Sequence, residues 1–258
     1  MKYFVIDAFA DKIFKGNPAG VCLLEKKLDD EILQNIAAEN NLSETAFLFK
    51  QNDFYDLRWF TPTNEVDLCG HATLASAFVV MNFVEAVNEV HFETKSGALF
   101  VAREDDVYTL DFPSNKPQKI SVTEKMRQAI GMPIIEAFAD FRDLVLVLED
   151  EQVVKDATPD FEKIKQLDIR AVAITAKGDN ADFVSRFFAP KMGVPEDPVT
   201  GSAHTRLIPL WAEKFEKNEM LARQLSKRGG TLICKNCGER VKIAGKAALY
   251  LKGEIFTA

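Results

Sequence analysis

Hydrophobic and polar positions along the chain switch between two periods, and the switches mark its elements. KYFVIDAF (2–9) and CLLEK (22–26) read as strands. DDEILQNIAAEN (29–40) carries apolar residues at Ile32, Leu33, Ile36 and Ala37, the spacing of an amphipathic helix with acidic residues in its first turn. ETAFLFK and DLRWFT follow as strands. CGHATLASAFVVMNF (69–83) is apolar over a length too great for a strand, and a helix apolar nearly all round is a buried one. HFETKSGALFVAREDDVYTLDFP (91–113) reads as a meander of three short strands, with turns at Lys95–Gly97 and Asp105–Asp106.

The polar stretch SNKPQK, with Pro113 and Pro117 at its edges, reads as a linker. It divides the chain into domains at 1–115 and 116–258, the last strand being able to pack back on the first domain. Past the linker, VTEKMRQAIGM is helical, DLVLVLE a strand, FEKIKQLD a short helix, and AVAITAK and FVSRFFA strands. GSAHTRLIPLWAEKF is a helix, and the remainder is a β meander ending in KAALYLKGEIF.

The two halves echo each other. RWFTP-TNEVDL-CGHA (58–72) and RFFAP-KMGVPEDPV-TGSA (186–203) align at Arg58/Arg186, Phe60/Phe188, Pro62/Pro190 and Gly70/Gly201, with three extra residues in the second loop. In each copy a strand ends at a Pro, a loop follows, and a Gly opens a helix of small and apolar residues. A duplicated unit explains that shared order, and it presents two helix N-termini.

Composition narrows the classes. The 258 residues are 47 % hydrophobic and 28 % charged, the balance of an ordinary folded protein rather than a disordered or coiled-coil chain. A formal charge of −7, with no visibly basic face, argues against a nucleic-acid binder. No stretch approaches a membrane span, and Asp7 and Asp11 interrupt the N-terminal apolar run where a signal peptide needs continuity, so a cytoplasmic location is expected. Cys22, Cys69, Cys234 and Cys237 are too few and scattered for a disulfide framework. The C-x-x-C at 234–237 lacks a second ligand pair for structural zinc. It reads as two thiols flanking a hairpin tip at Lys235–Asn236.

Candidate chemistry gathers at the repeated glycines. A helix start has unpaired N–H groups and the positive end of the macrodipole, so it receives an anion well. Either Gly70 or Gly201 alone is better explained as a helix entry, with Thr200 and Ser202 as caps; the pair points to function. Beside them stand Cys69 and His71 in the first copy, and Glu196, Asp197, Ser202 and His204 in the second. Two of the three histidines therefore lie within three residues of the repeated Gly, whereas His91 reads as a surface or packing residue. Glu44, between a helix and a strand, reads from pattern alone as a solvated carboxylate.

GNPAGV (16–21), NLSETAF (41–47), RWFTP with LCGHATLASA (58–77) and GVPEDPVTGSAH (193–204) together resemble the phenazine-biosynthesis-like PhzF family of the diaminopimelate-epimerase-like superfamily. The resemblance implies an α+β fold of two pseudo-symmetric domains, each a curled, mostly antiparallel sheet around a central helix, with the active site between them. It implies an isomerase that moves a carbon-bound proton of a small amino or hydroxy carboxylic acid without metal, nucleotide or organic cofactor. By motif position Glu44 is the acid/base, with His71, Asp197 and Ser202 as further catalytic groups. Cys69, Gly70, Thr200 and Gly201 fall at the substrate-binding helix starts. Homodimers are common in that family. Racemases of the superfamily use two cysteines, one per helix start; here Thr200 stands at the second, and its hydroxyl is too weak an acid to replace a thiol. Two other readings stay open: a dehydratase or epimerase working through Cys69, and a non-catalytic metabolite- or partner-binding protein on the same fold.

Overall fold

Both central helices are present, one in each unit, packed against strands of that unit. The computed structural model describes residues 1–256, and they divide into two compact units. Met1–Asp111 with the closing segment from Ala244 forms the first, and Phe112–Ile243 the second.

The first unit contains β1 (Lys2–Ala8), β2 (Asn17–Leu24), α1 (Asp30–Asn40), β3 (Glu44–Lys50), β4 (Tyr55–Phe60), β5 (Glu65–Val66), α2 (Gly70–Phe83), β6 (Glu89–Thr94), β7 (Gly97–Glu104) and β8 (Val107–Pro113). The second contains β9 (Gln118–Ile120), α3 (Glu124–Ile130), β10 (Glu136–Ala139), β11 (Asp143–Val147), α4 (Glu151–Asp156), α5 (Phe161–Lys165), β12 (Ala171–Lys177), β13 (Phe183–Ala189), β14 (Val194–Asp197), α6 (Gly201–Phe215), β15 (Glu219–Gln224), β16 (Gly230–Asn236) and β17 (Arg240–Gly245). The last strand, β18 (Ala247–Glu254), pairs antiparallel with β1 and so belongs to the first unit.

Most pairings are antiparallel. Among the described pairings the parallel ones are β2 with β3 and β4 with β6 in the first unit, and β11 with β12 and β13 with β15 in the second. Parallel neighbours need a crossover, and α1 lies in the β2–β3 crossover as α4 and α5 lie in that of β11–β12. The fold is thus mixed α and β, with a mostly antiparallel sheet in each unit.

The echo read in the sequence is an echo in register. Thr45 faces Phe60 across β3 and β4 as Val172 faces Phe188 across β12 and β13; Tyr55 faces Phe92 as Phe183 faces Ala222. Arg58 grips Glu65 with two hydrogen bonds of 2.7 and 2.9 Å while lying 5.0 Å over the Phe60 ring. Arg186 grips Glu196 at 2.7 and 3.1 Å, 5.1 Å over Phe188. In each copy a planar fork on a carboxylate, stacked on an aromatic face, ties the short loop strand to its neighbour. Arg186 does more: its Nη1 also donates to the carbonyls of Val154, Lys155 and Ala157 at the end of α4.

The central helices pack differently. α2 is buried from Gly70 to Ala77 and touches β1, β2, β3, β6, β7 and β18. α6 stacks Trp211 on Phe183, and Trp211 Nε1–H donates to Thr175 Oγ1 at 3.0 Å. Pro209, inside α6, has no N–H to give the carbonyl four residues back. That carbonyl, of Thr205, accepts the backbone N–H of Asn115 at 3.0 Å, and Asn115 Nδ2 donates to Thr205 Oγ1 at 3.2 Å. The polar stretch read as a linker is therefore fastened to α6 at the gap the proline leaves.

One local expectation is corrected. The hairpin after β16 turns not at Lys235–Asn236 but beyond Asn236, where Cys237 N–H meets the Arg240 carbonyl at 2.9 Å and Gly238 takes a φ of +79°. Cys234 lies inside the sheet and Cys237 outside, so strand alternation sets the two thiols in different surroundings. No helix among the described residues is long and apolar enough to cross a membrane.

Candidate active site

In the first unit the site is built where three element starts meet. β2 and β3 run parallel, so their first residues, Asn17 and Glu44, lie at the same end of the sheet. α2 begins there too, with Cys69 at its N-cap in extended conformation and Gly70 and His71 in its first turn. Neither α2 nor α6 has an acidic residue in its first turn to occupy its N–H groups.

His71 is buried, and its Nε2 lies 3.2 Å from Glu44 Oε2. The approach is within ion-pair range but off the hydrogen-bond line, so this carboxylate oxygen has no fully formed hydrogen bond. Glu44 keeps 18 % of its side-chain surface exposed, enough to meet a ligand. On the other side of the ring, Asn17 Nδ2 sits 3.2 Å from His71 Nδ1. Burial opposes a charge on His71, yet the adjoining Cys69 sulfur and Glu44 carboxylate outweigh it and raise its pKa well above the usual imidazole range. Burial, with the Glu44 charge beside it, pushes the Cys69 thiol up to about 11. At neutral pH Cys69 is therefore a thiol, and Glu44 is what holds a proton on His71.

Glu44, Cys69 and His71 offer donor atoms within 4.8 Å of one another. The Cys69 sulfur is 3.5 Å from His71 Nδ1 and 4.0 Å from Nε2, nearly equidistant. Both contacts fall within hydrogen-bond range for sulfur, so the thiol and the Asn17 amide both approach His71 Nδ1.

The second unit holds the other expected residues as a locked loop. Thr200 Oγ1–H donates to Asp197 Oδ2 at 2.5 Å. Gln224 Oε1 accepts the Thr200 N–H at 2.9 Å, and its Nε2 donates to the Asp197 carbonyl at 2.7 Å and to Thr200 Oγ1 at 3.1 Å. Thr200 holds the N-cap position, but its hydroxyl serves Asp197 and does not cap α6. Ser202 is partly buried, and its carbonyl accepts from Arg206 Nη1 at 2.9 Å. Arg206, itself buried, is bound by Asp140 and Asp143, and Asp143 is gripped in turn by Arg170. This ion network anchors the first turn of α6. Glu196 is spent on Arg186, so it supports the loop rather than the chemistry.

His204 is also structural. Its Nδ1–H donates to the Thr200 carbonyl at 2.8 Å, and complete burial lowers its pKa to about 4. His91 pairs with Glu93 and stacks 4.6 Å from Phe100, the packing role expected of it.

Glu44, His71, Cys69 and Gly70 thus come together in the first unit, and Asp197, Thr200, Gly201 and Ser202 in the second. Sequence reasoning missed Gln224 and the pairing of Asn17. The signal for Gln224 was a polar residue at an inward position of an alternating strand, since β15 buries Met220, Ala222 and Gln224.

A duplicated unit of mostly antiparallel strands around a buried helix defines a racemase- and epimerase-type fold. A probable proline racemase from Agrobacterium radiobacter shares it with a TM-score of 0.67 over 100 % of this chain and 93 % of its own, at 9 % identity. Within that class, the chain belongs to the phenazine biosynthesis-like family, PhzC–PhzF, whose profile matches residues 6–253. A PhzF-family protein of Enterococcus faecalis is 49 % identical, superposes with a TM-score of 0.97 and is covered over 99 % of both chains. An uncharacterized isomerase of Pseudomonas aeruginosa is 49 % identical over 98 % of this chain and 97 % of its own.

Proposed function

We propose that the protein is a cofactor-independent isomerase that moves a carbon-bound proton of a small amino or hydroxy carboxylic acid, with Glu44 as acid and base. The reading rests on one observation above all: a partly exposed carboxylate, whose buried Oε2 lacks a formed hydrogen bond, faces a buried imidazole at a helix start. The naming of the Pseudomonas relative as an isomerase agrees with it.

In this mechanism a Glu44 oxygen takes a proton from a carbon next to an unsaturated group of the substrate. The C–H electron pair enters the substrate as an enolate-like system, and a new O–H forms on Glu44. The same O–H returns its proton to a different carbon, so no redox partner is needed. His71 Nε2 stands beside the carboxylate and steadies its charge before and after the transfer. The N–H groups opening at Gly70 and Gly201 are suited to a substrate carboxylate and to developing negative charge. Asp197 and Ser202 are assigned to the substrate's polar groups. Cys69, buried beside the Glu44 charge and a thiol at neutral pH, is poorly poised as a base.

The test is incorporation of deuterium from D₂O into a panel of small amino, hydroxy and cyclic unsaturated acids, followed by NMR. Wild type and Cys69→Ala are expected to exchange, whereas Glu44→Gln loses exchange by a factor of about 10²–10⁴, the usual worth of a positioned acid–base group. Exchange that survives in Glu44→Gln and disappears in Cys69→Ala would overturn the assignment. Asp197→Asn is expected to weaken substrate binding.

A further inference from the structure

The GNPAG stretch is one of the motifs that carry the family resemblance, and the chemistry proposed above gives it no task. Its geometry does. Gly16 has a φ of +64°, and a Cβ there would stand 2.1 Å from the Ala8 carbonyl oxygen. Only glycine fits such a close approach at such a φ. The next residue, Asn17, pairs with Ala8 across β1 and β2 and is completely buried. Burying an amide is costly without partners of good geometry, and Asn17 spends its Nδ2 on His71 Nδ1 at 3.2 Å.

We infer that Asn17 is a positioning residue that selects the protonation pattern of His71, and through it the place of the proton shared with Glu44. An amide N–H can be donated only to a ring nitrogen that carries no proton. With Nδ1 so occupied, the neutral ring carries its proton on Nε2, the nitrogen facing Glu44. A second proton on the ring would put Nδ1–H against the Asn17 amide N–H, and the amide would have to turn and present its oxygen. Two influences therefore compete. The Glu44 carboxylate favours the imidazolium; burial and the donated amide favour neutral imidazole with the proton on Glu44. Among the described residues the other titratable group against the ring is Cys69, which stays a thiol below its raised pKa and lies 3.5 Å from Nδ1 and 4.0 Å from Nε2. A carboxylate that must surrender a proton in one step and keep it in the next gains from a neighbour whose charge is so balanced.

This inference rests on the assignment of Glu44 as acid and base, but its test does not need a substrate. The whole chain, labelled with ¹⁵N-histidine, has three histidines to resolve, and long-range ¹H–¹⁵N spectra report which ring nitrogen bears a proton. Recorded from pH 6 to 10, the neutral form of wild-type His71 is expected to show the proton on Nε2. Asn17→Leu is expected to lose that preference, and Asn17→Asp, with a carboxylate at Nδ1, to raise the His71 pKa by about 1–3 units. His91 and His204 serve as internal controls and should not move. An unchanged His71 pattern in both variants, or a wild-type proton on Nδ1, overturns the inference. Should Asn17→Leu fail to fold, Asn17→Asp decides alone. Deuterium exchange with Glu44→Gln is scored separately, so loss of the proton-transfer reading and loss of the Asn17 role are told apart.

Discussion

At the scale of single residues, the two buried histidines at the helix starts show how surroundings assign different work to one side chain. His71 meets a carboxylate and is driven toward the charged form; His204 meets a carbonyl and apolar walls and is driven to neutrality. The second has a consequence for stability. The folded-state pKa of His204 lies near 4, below the ordinary value of 6.5, so the unfolded chain binds more protons between those limits. The resulting stability is whole above pH 6.5 and drains as pH falls toward 4, by up to about 3 kcal/mol. His204→Asn keeps a donor for the Thr200 carbonyl and removes the titrating ring. Urea midpoints measured from pH 7 to pH 4 should fall less steeply for that variant than for wild type. Gln224→Leu should cost about 1–3 kcal/mol, because it strands the buried Thr200 N–H, and should speed hydrogen exchange of that amide. The thiols sort by exposure: Cys237 should alkylate fast in the native protein, and Cys22, Cys69 and Cys234 only on unfolding, as read by mass spectrometry.

At the scale of elements, the paired Arg–Glu–Phe clamps allow a controlled comparison. Arg58 Nη1 is given to Asp30, a largely exposed partner, whereas Arg186 Nη1 holds three carbonyls of the α4 end. Exposed ion pairs contribute little, and buried carbonyls left without donors cost more. Arg186→Leu should therefore lower the urea midpoint further than Arg58→Leu. Gly16→Ala should destabilise by more than about 1 kcal/mol, since the left-handed φ and the Ala8 carbonyl both oppose a Cβ.

Elements are also where the sequence spoke most clearly. The buried helix at 70–83 was legible because its apolar residues run round nearly all sides, and the helix at 201–215 and the duplication because Arg, Phe, Pro and Gly recur in order. Glu44 was not legible from pattern: a Glu at a strand entry is ordinary until His71, 27 positions on, is folded against it. Gln224 and Asn17 act through partners distant in sequence, which no local period encodes. The tip after β16 was misread because strand pairing carries Lys235 and Asn236 on, with Lys235 opposite Glu219, past the point where the polar dipeptide invites a turn.

At the scale of the whole molecule, the closing strand of the sequence serves the first unit rather than the second. β9 follows β8 but pairs with β10, and β18 follows β17 but pairs with β1. A fragment ending near residue 115 thus leaves β1 with an unpaired edge, a template for aggregation. Expressed alone such a fragment should be insoluble, and co-expressed with the complementary fragment it should be recovered soluble.

The same lent strand sets a clock on the ribosome. β1 is made well before its partner β18, and its register pairs Lys2 with Glu254. At about 5–20 residues per second, the nascent first unit waits on the order of ten seconds or more with one flank of its sheet incomplete. Closing that sheet therefore waits on synthesis of the whole second unit, and the flank stays open while that unit is made.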